Sequence, residues 1–276
     1  MFRRATIVAT LGWAAACAAN AAAPEPPAAA PVGTPTSASE APDPYGSLIW
    51  PDLRQEFLGS GPVVFDARVK VEVPSFAEDP MNVPVSVAAD GIEGIERITV
   101  IVDRNPIRKV LEYMPLTALP RVSFRFKLQQ ASPVRAAVLT RDGVWHVGGG
   151  YVDSAGGGCT TPGDTRRDGS WSQSLGQVSA RLFPHSTAPG APEDETRLRL
   201  RVMHPMDTGL ANGIPAFYIN RLSLRDAAGH ELMRLNAYEP VSENPIFSFD
   251  FAGAPHGALE LVGTDNNGNR IEGAVK

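Results

Sequence analysis

Val63-Val64-Phe65-Asp66-Ala67-Arg68-Val69-Lys70-Val71-Glu72-Val73 alternates strictly. Val63, Phe65, Ala67, Val69, Val71 and Val73 share one face, and Asp66, Arg68, Lys70 and Glu72 share the other. A period of two sends successive side chains to opposite sides of a pleated strand, so the stretch reads as a half-buried β-strand. The same pattern recurs in Ile98-Val100-Val102 and in Val122-Phe124-Phe126-Leu128. Val134–Leu139 and Val144–Val152 flank Asp142-Gly143, a two-residue turn that favours a hairpin. Alternation resumes at Leu198-Leu200-Val202 and continues through Ile219–Leu224, Leu232–Tyr238, Ile246–Phe251, Ala258–Val262 and Ile271–Val275, where Asn267-Gly268 supplies the last hairpin turn. One short helix precedes the strands at Trp50–Gly59. Pro51 suits its first turn, Leu53 and Phe57 lie four apart, and Gly59 stops it. Strands with one apolar and one polar face belong to antiparallel sheets. The predicted fold class is therefore all-β, built from antiparallel β-sandwiches.

Residues 155–195 break the alternation. Ala155-Gly156-Gly157-Gly158-Cys159-Thr160-Thr161-Pro162 leads into a polar Gly/Asp/Arg/Ser run and a Pro-rich stretch from Pro184 to Pro192. A structureless segment of about 40 residues is unusual inside one domain, so it reads as a flexible Gly/Pro-rich linker between two domains. The expected division is a first sandwich over residues 45–159, a linker over 160–194 and a second sandwich over 195–276. Residues 22–44, rich in Ala, Pro, Ser and Thr, read as a disordered spacer. Before them, Arg3 and Arg4, a short apolar run and Ala19-Asn20-Ala21 form the pattern of a secretory signal peptide over residues 1–21. Its apolar stretch of about 15 residues falls short of the ~20 that a membrane span needs. Lipidation at Cys17, or twin-arginine export through Arg3-Arg4, are the alternative readings of the same segment.

Composition narrows the function. The 276 residues are 43% hydrophobic, which supports a real core and excludes wholesale disorder. Two cysteines are too few for a disulfide scaffold or for a thiolate-rich zinc module. The formal charge of −5 argues against a nucleic-acid binder, whose footprint is basic. Cleavage after Ala21 removes two basic residues and no acids, which takes the charge to −7. It also removes Cys17 and leaves Cys159 as the one thiol. A lone cysteine in an exported protein marks a reactive or intermolecular group.

Gly156-Gly157-Gly158 ahead of that thiol is the most informative feature. Three glycines cost backbone entropy when ordered, so they suit either a mobile segment or a closely approached backbone. A thiol there can leave the body of the protein and form reversible bonds to other sulfur atoms. The competing reading is a glycine turn before a buried, inert cysteine; the polar surroundings favour the exposed one. His146, His185, His204, His230 and His256 form no recognisable Cys–His signature for a hydrolase, and a flexible nucleophile would be poorly positioned. His204, Met206 and Cys159 raise a blue-copper option, but no compact ligand loop accompanies them. His204-Pro205-Met206-Asp207-Thr208-Gly209 otherwise reads as a strand end and glycine turn, or as a domain interface. Asp103, Arg104, Arg166, Arg167 and Asp168 read as solvated surface, with Arg166 and Arg167 able to attract an anionic adduct on Cys159.

These residues resemble SoxYZ, the carrier of bacterial sulfur oxidation, and in particular its fused single-chain relatives found beside quinoprotein dehydrogenases. A SoxY-like half lies in residues 60–160. It carries Val83-Pro84-Val85, Asp103-Arg104-Asn105-Pro106, Ser132-Pro133-Val134-Arg135-Ala136, and Val152 followed by Gly156-Gly157-Gly158-Cys159. A SoxZ-like half lies in residues 195–276. It carries the 204–209 motif, Ile214-Pro215, Ile219-Asn220, Ser242-Glu243-Asn244-Pro245-Ile246-Phe247-Ser248-Phe249 and Thr264-Asp265-Asn266-Asn267-Gly268.

The resemblance implies two immunoglobulin-like sandwiches that pair with each other, and a covalent carrier in place of an enzyme. Cys159 would be the attachment site for a sulfur compound, and Gly156, Gly157 and Gly158 the flexible arm. It implies a periplasmic location and partner redox enzymes: a quinoprotein dehydrogenase, a c-type cytochrome or Sox-type enzymes. No cofactor, catalytic residue, metal site, nucleic acid or membrane span is expected. A non-covalent accessory protein that docks a quinoprotein dehydrogenase is the alternative. The chain departs from the family in one respect: the carrier arm of SoxY ends the polypeptide, whereas Thr160-Thr161-Pro162 follow here and the chain continues.

Overall fold

The structure, a computed structural model, describes residues 42–184 and 195–276. The predicted signal peptide, Cys17, nearly all of the 22–44 spacer, His185 and the 185–194 end of the linker lie outside the described residues. In chain order the elements are α1 (Trp50–Phe57), β1 (Val63–Phe65), β2 (Lys70–Glu72), β3 (Phe76–Ala77), β4 (Val83–Ala88), β5 (Ile95–Val102), β6 (Lys109–Met114), β7 (Arg121–Phe126), β8 (Ser132–Thr140) and β9 (Trp145–Ser154). They continue with α2 (Asp164–Asp168), α3 (Trp171–Ser174), β10 (Val178–Pro184), β11 (Thr196–Val202), β12 (Ile219–Arg225), β13 (Glu231–Ala237), β14 (Ile246–Phe251), β15 (Glu260–Asp265) and β16 (Arg270–Ala274). None of these helices is long and apolar enough to cross a membrane.

Two sheets face each other, as the alternation predicted. One runs β1-β9-β8-β5-β6-β13-β12-β15-β16, with β3 added on β9, and the other runs β10-β11-β14-β7-β4-β2. Both sheets are continuous across the two halves of the chain. In the first, β6 pairs with β13 from Leu111↔Ala237 to Met114↔Arg234, and in the second β7 pairs with β14 at Ser123↔Ser248. The apolar faces meet in a single core that spans the junction. Tyr113 lies 5.2 Å from Phe249 between ring centroids, and Phe124 lies 6.5 Å from Phe247. Offset and tilted ring pairs of this kind add to what burial alone contributes.

The structure departs from the sequence reading in several places, one of them β4, whose alternating Val83, Val85 and Val87 went unread as a strand around Pro84. The long strand expected at 63–73 is two strands in different sheets. The Asp66 carboxylate accepts the Arg68 amide at 2.9 Å and the Val69 amide bonds to the Asp66 carbonyl at 3.0 Å, and this turn carries the chain from one sheet to the other. β6 went unread because Val110, Leu111 and Tyr113 are all buried at the centre of a sheet, where alternation fades. The expected linker is folded as far as Pro184. α2 and α3 are short helices, and β10 pairs with β11 over its whole length from Val178↔Val202 to Pro184↔Thr196.

Order also begins slightly before residue 45. Arg135, fully buried on β8, makes paired hydrogen bonds to Asp103 (2.8 and 2.9 Å) and to Asp43 (2.6 and 2.8 Å), and its guanidinium stacks 4.2 Å from the Trp50 ring centroid. Asp103, expected on the solvated surface, is therefore completely enclosed. Burial works against the Asp43 carboxylate, but the Arg135 guanidinium and the Ser47 amide outweigh it and hold Asp43 below the usual carboxylate range. Removing one member of a buried ion cluster strands the others and costs about 3–5 kcal/mol. Arg135→Met should lose that much stability in urea titrations, and an unchanged midpoint would contradict the buried-triad account. Because Asp43 titrates lower in the folded chain than in the unfolded one, its contribution is present above its ordinary value of 3.8 and lost as pH falls below it.

Candidate functional site

Cys159 sits where the two halves meet. The segment that brings it there leaves β9 and is fastened residue by residue. The Gly156 amide donates to Ser154 Oγ at 2.9 Å, Gly157 to the Gln129 carbonyl at 3.0 Å, Gly158 to the Leu128 carbonyl at 3.0 Å, and Cys159 to Gln129 Oε1 at 3.0 Å. Gly156 and Gly158 are needed for proximity, and Gly157 for its φ of +93°. A Cβ on Gly158 would lie 2.1 Å from the Pro80 carbonyl oxygen, and one on Gly156, which has φ +90°, would lie 2.7 Å from the Gln129 carbonyl oxygen. In this structure the segment predicted as an arm, Gly156, Gly157 and Gly158, lies against the body of the protein, with the backbone closely approached at Gly156 and Gly158.

The thiol itself is buried, with no exposed surface. Its Sγ donates weakly to the Lys127 carbonyl at 3.5 Å, and the Thr208 hydroxyl donates to the Cys159 carbonyl at 2.6 Å. Burial pushes its pKa from the ordinary 9.0 up to about 12, with the Lys127 ammonium opposing this only in part. Lys127 is 2% exposed and its ammonium donates to the Met206 carbonyl. Burial lowers its pKa, against the opposing fields of Asp207, Cys159 and Glu243.

The second half supplies the other wall from motifs that the sequence singled out without linking them to the thiol. Asp207 receives Arg166 Nε at 2.8 Å, and the Arg166 guanidinium stacks 4.2 Å from the Trp171 ring centroid. Glu243 accepts the amides of Asp164 and Thr165, each at 2.8 Å, and the Thr165 hydroxyl, which closes the open end of α2. Ser242 Oγ donates to the Met81 carbonyl at 2.7 Å. Arg166, expected on the surface, thus ties α2 to the second half, while Arg167 pairs with Asp164 on the outside.

The histidines do not gather around the thiol. His204 is buried; its Nδ1 accepts the Met206 amide at 3.1 Å, so its Nε2 carries the proton and faces Asp265 at 3.5 Å. Burial pushes its pKa down to about 4, despite the pull of Asp265 in the other direction. Met206 Sδ accepts the Ile219 amide at 3.3 Å. With His204 and Met206 turned to these partners, the copper ligand set does not assemble, and no group of three or more His, Cys, Asp or Glu among the described residues is placed to hold a metal ion. His146 on β9 faces Asp66, just beyond β1, at 2.9 Å, and His230 faces Asp226 at 3.1 Å within the turn between β12 and β13.

Lys127, Gln129 and Thr208, which seat the thiol, were missed by the sequence reading. Only the 204–209 motif hinted at one of them, by reading as a possible interface.

Fold and site together define a two-domain β-sandwich protein whose halves pair along both sheets and close over one thiol. Two family models match it, the sulfur oxidation protein SoxY over residues 54–159 and the sulphur oxidation protein SoxZ over residues 186–276. The chain belongs to the SoxYZ-like family, with both domains fused in one polypeptide. The SoxY match ends at Cys159. Among solved structures the chain is similar to the sulfur carrier protein SoxY from Chlorobium limicola f thiosulfatophilum, at 23% identity and a TM-score of 0.34, over 38% of this chain and 94% of that one. No curated protein matches it.

A pKa near 12 in place of 9.0 leaves about a thousandfold less thiolate at neutral pH, and burial blocks the reagent as well. A disulfide reagent such as Ellman's should therefore label the native thiol at least about a thousandfold more slowly than the unfolded chain. The raised value makes the closed seat fully stable below pH 9 and progressively weaker as pH rises towards 12, so labelling should accelerate there beyond its intrinsic pH dependence. Gly158→Ala, which cannot keep the Pro80 contact, should speed labelling by about tenfold or more. Rapid labelling of the native wild type at pH 7 would contradict the buried seat.

Proposed function

We propose that the protein is a periplasmic carrier of sulfur compounds that holds its cargo covalently on Cys159 and presents it to partner redox enzymes. The observation that carries this reading is the placement of the one free thiol among the described residues: after Gly156-Gly157-Gly158, at the end of the SoxY match and under residues of the SoxZ match. Membership in a family of sulfur oxidation proteins supports a carrier in place of a catalyst. Among the described residues the Cys159 Sγ has one hydrogen-bond partner, the Lys127 carbonyl, which is no general base for a hydrolase nucleophile.

Loading requires the segment to open. The exposed thiol then joins a sulfur anion in a sulfur–sulfur bond, with release of the thiol proton and transfer of two electrons to the partner redox enzyme. A thiol held near pKa 12 while closed is protected from stray oxidation and dimerisation between loading events. Because Thr160-Thr161-Pro162 continue into α2, the segment opens as a loop fixed at both ends, and partners must approach the junction itself. Export by the 1–21 signal peptide fits this role, and a quinoprotein dehydrogenase or c-type cytochrome is the class of partner that fits the redox step.

One observation favours a second reading. A thiol so fully enclosed also suits a packing residue in a non-covalent docking protein for such a dehydrogenase. Intact-mass analysis separates the two. Protein purified from its own periplasm during growth on reduced sulfur should carry a mass adduct on Cys159 that reductant removes, and Cys159→Ser should abolish function while leaving the fold stable. Unmodified thiol under all growth conditions, with a fully functional Cys159→Ser, would establish the docking reading instead.

A further inference from the structure

The outer face of the six-stranded sheet carries its arginines in register rows, and the rows are not treated alike. In one row Arg197 on β11 and Arg121 on β7 flank Asp250 on β14. Arg197 forks onto the Asp250 carboxylate at 2.7 and 2.9 Å, and Arg121 is held by Asp90 and Glu195, each at 2.8 Å. Four residues along the same strands the arrangement repeats. Arg201 on β11 pairs with Ile246 on β14, and the register that sets Ser248 opposite Ser123 brings Arg125 on β7 to the other side of Ile246. There is no carboxylate in the middle of this row. Among the described residues, neither Arg125 nor Arg201 has a side-chain hydrogen bond or ion-pair partner.

Both arginines line a cavity of about 420 Å³ that is roofed in part by Thr161 and Pro162, just beyond Cys159. The acids around it are already committed. Glu243 is taken by the start of α2, Asp164 by Arg167, and Asp79 by the Met81 amide at 2.9 Å and Asn82 Nδ2 at 2.8 Å. Strands two apart in a sheet place Arg125 and Arg201 about 10 Å apart at their Cα atoms, a span that two long side chains converge across. Guanidinium groups bind planar or tetrahedral oxyanions through paired, charge-assisted hydrogen bonds.

We propose that this cavity is a binding site for a small free oxyanion of the sulfate class, clamped between Arg125 and Arg201 in the position that the Asp250 carboxylate fills in the neighbouring row. The site is independent of what Cys159 carries, so it stands or falls apart from the carrier reading.

The test is calorimetric titration of the full chain with sodium sulfate in a constant chloride background. Saturable binding is expected in the wild type and equally in Cys159→Ala. Arg125→Gln combined with Arg201→Gln should weaken it by at least about tenfold, as the loss of charged hydrogen bonds requires. Arg181→Gln combined with Arg199→Gln, on the same sheet face but outside the cavity, should change it by less than about twofold and so separates a built site from general positive charge. No saturable binding in the wild type, or equal loss in both double variants, would overturn the proposal. Unchanged thermal midpoints of the variants without sulfate establish that the loss is one of binding and not of folding.

Discussion

Everything in this molecule hangs on the lateral pairing of two half-sandwiches. Alone, the SoxY half would expose β6 and β7 as open edges, and the SoxZ half would expose β13 and β14. Unpaired edges invite association with other chains. Joining β6 to β13 and β7 to β14 closes both sets at once and merges two small apolar interiors into one. The fusion of the halves in one polypeptide makes this pairing intramolecular, so it does not depend on protein concentration. The thiol seat is a by-product of the same junction. Lys127–Gln129 follow directly from β7 and form its floor, while Thr208 comes from the other half to bond the Cys159 carbonyl, and Asp207 and Glu243 from that half brace α2 beside it.

The seat is well fitted yet lightly held. Besides the weak 3.5 Å contacts of the Cys159 Sγ to Lys127 and of Thr160 to Gln129, the polar contacts that bind the segment near the thiol are those of Gly157, Gly158, the Cys159 amide and the Cys159 carbonyl. At about 1 kcal/mol net for each hydrogen bond, lifting it costs on the order of 4 kcal/mol, an open population of roughly one molecule in a thousand. That is far less than unfolding a core strand such as β8, whose residues are almost all buried. A closed, chemically quiet thiol and an accessible carrier are therefore two populations of one structure, and a partner that binds the open form shifts the balance between them.

The sequence disclosed the fold class because one buried face per strand writes itself as a period of two. It disclosed the hairpins at Asp142-Gly143 and Asn267-Gly268 because only a few residue types make such turns, and both glycines do adopt positive φ, +81° and +84°. It failed where tertiary context overrides local pattern. β6 is buried on both sides, Asp66 turns a strand into two, and the Val178–Pro184 strand is a weakly alternating edge hidden in a polar stretch. The thiol was legible and its burial was not, because nothing in Gly156-Gly157-Gly158 tells a hinge from a close backbone approach. The distinction lies in Pro80, Leu128 and Gln129, which are distant in sequence.

The most direct measurement is native-state hydrogen exchange at the amides of Gly157, Gly158 and Cys159. A carrier whose thiol leaves its seat by local opening predicts that these amides exchange together, with protection of only a few kcal/mol and little denaturant dependence, well ahead of the β8 and β9 amides. Exchange of the three at the same free energy and denaturant slope as the core strands would mean that Cys159 emerges only on global unfolding, and would contradict the carrier account.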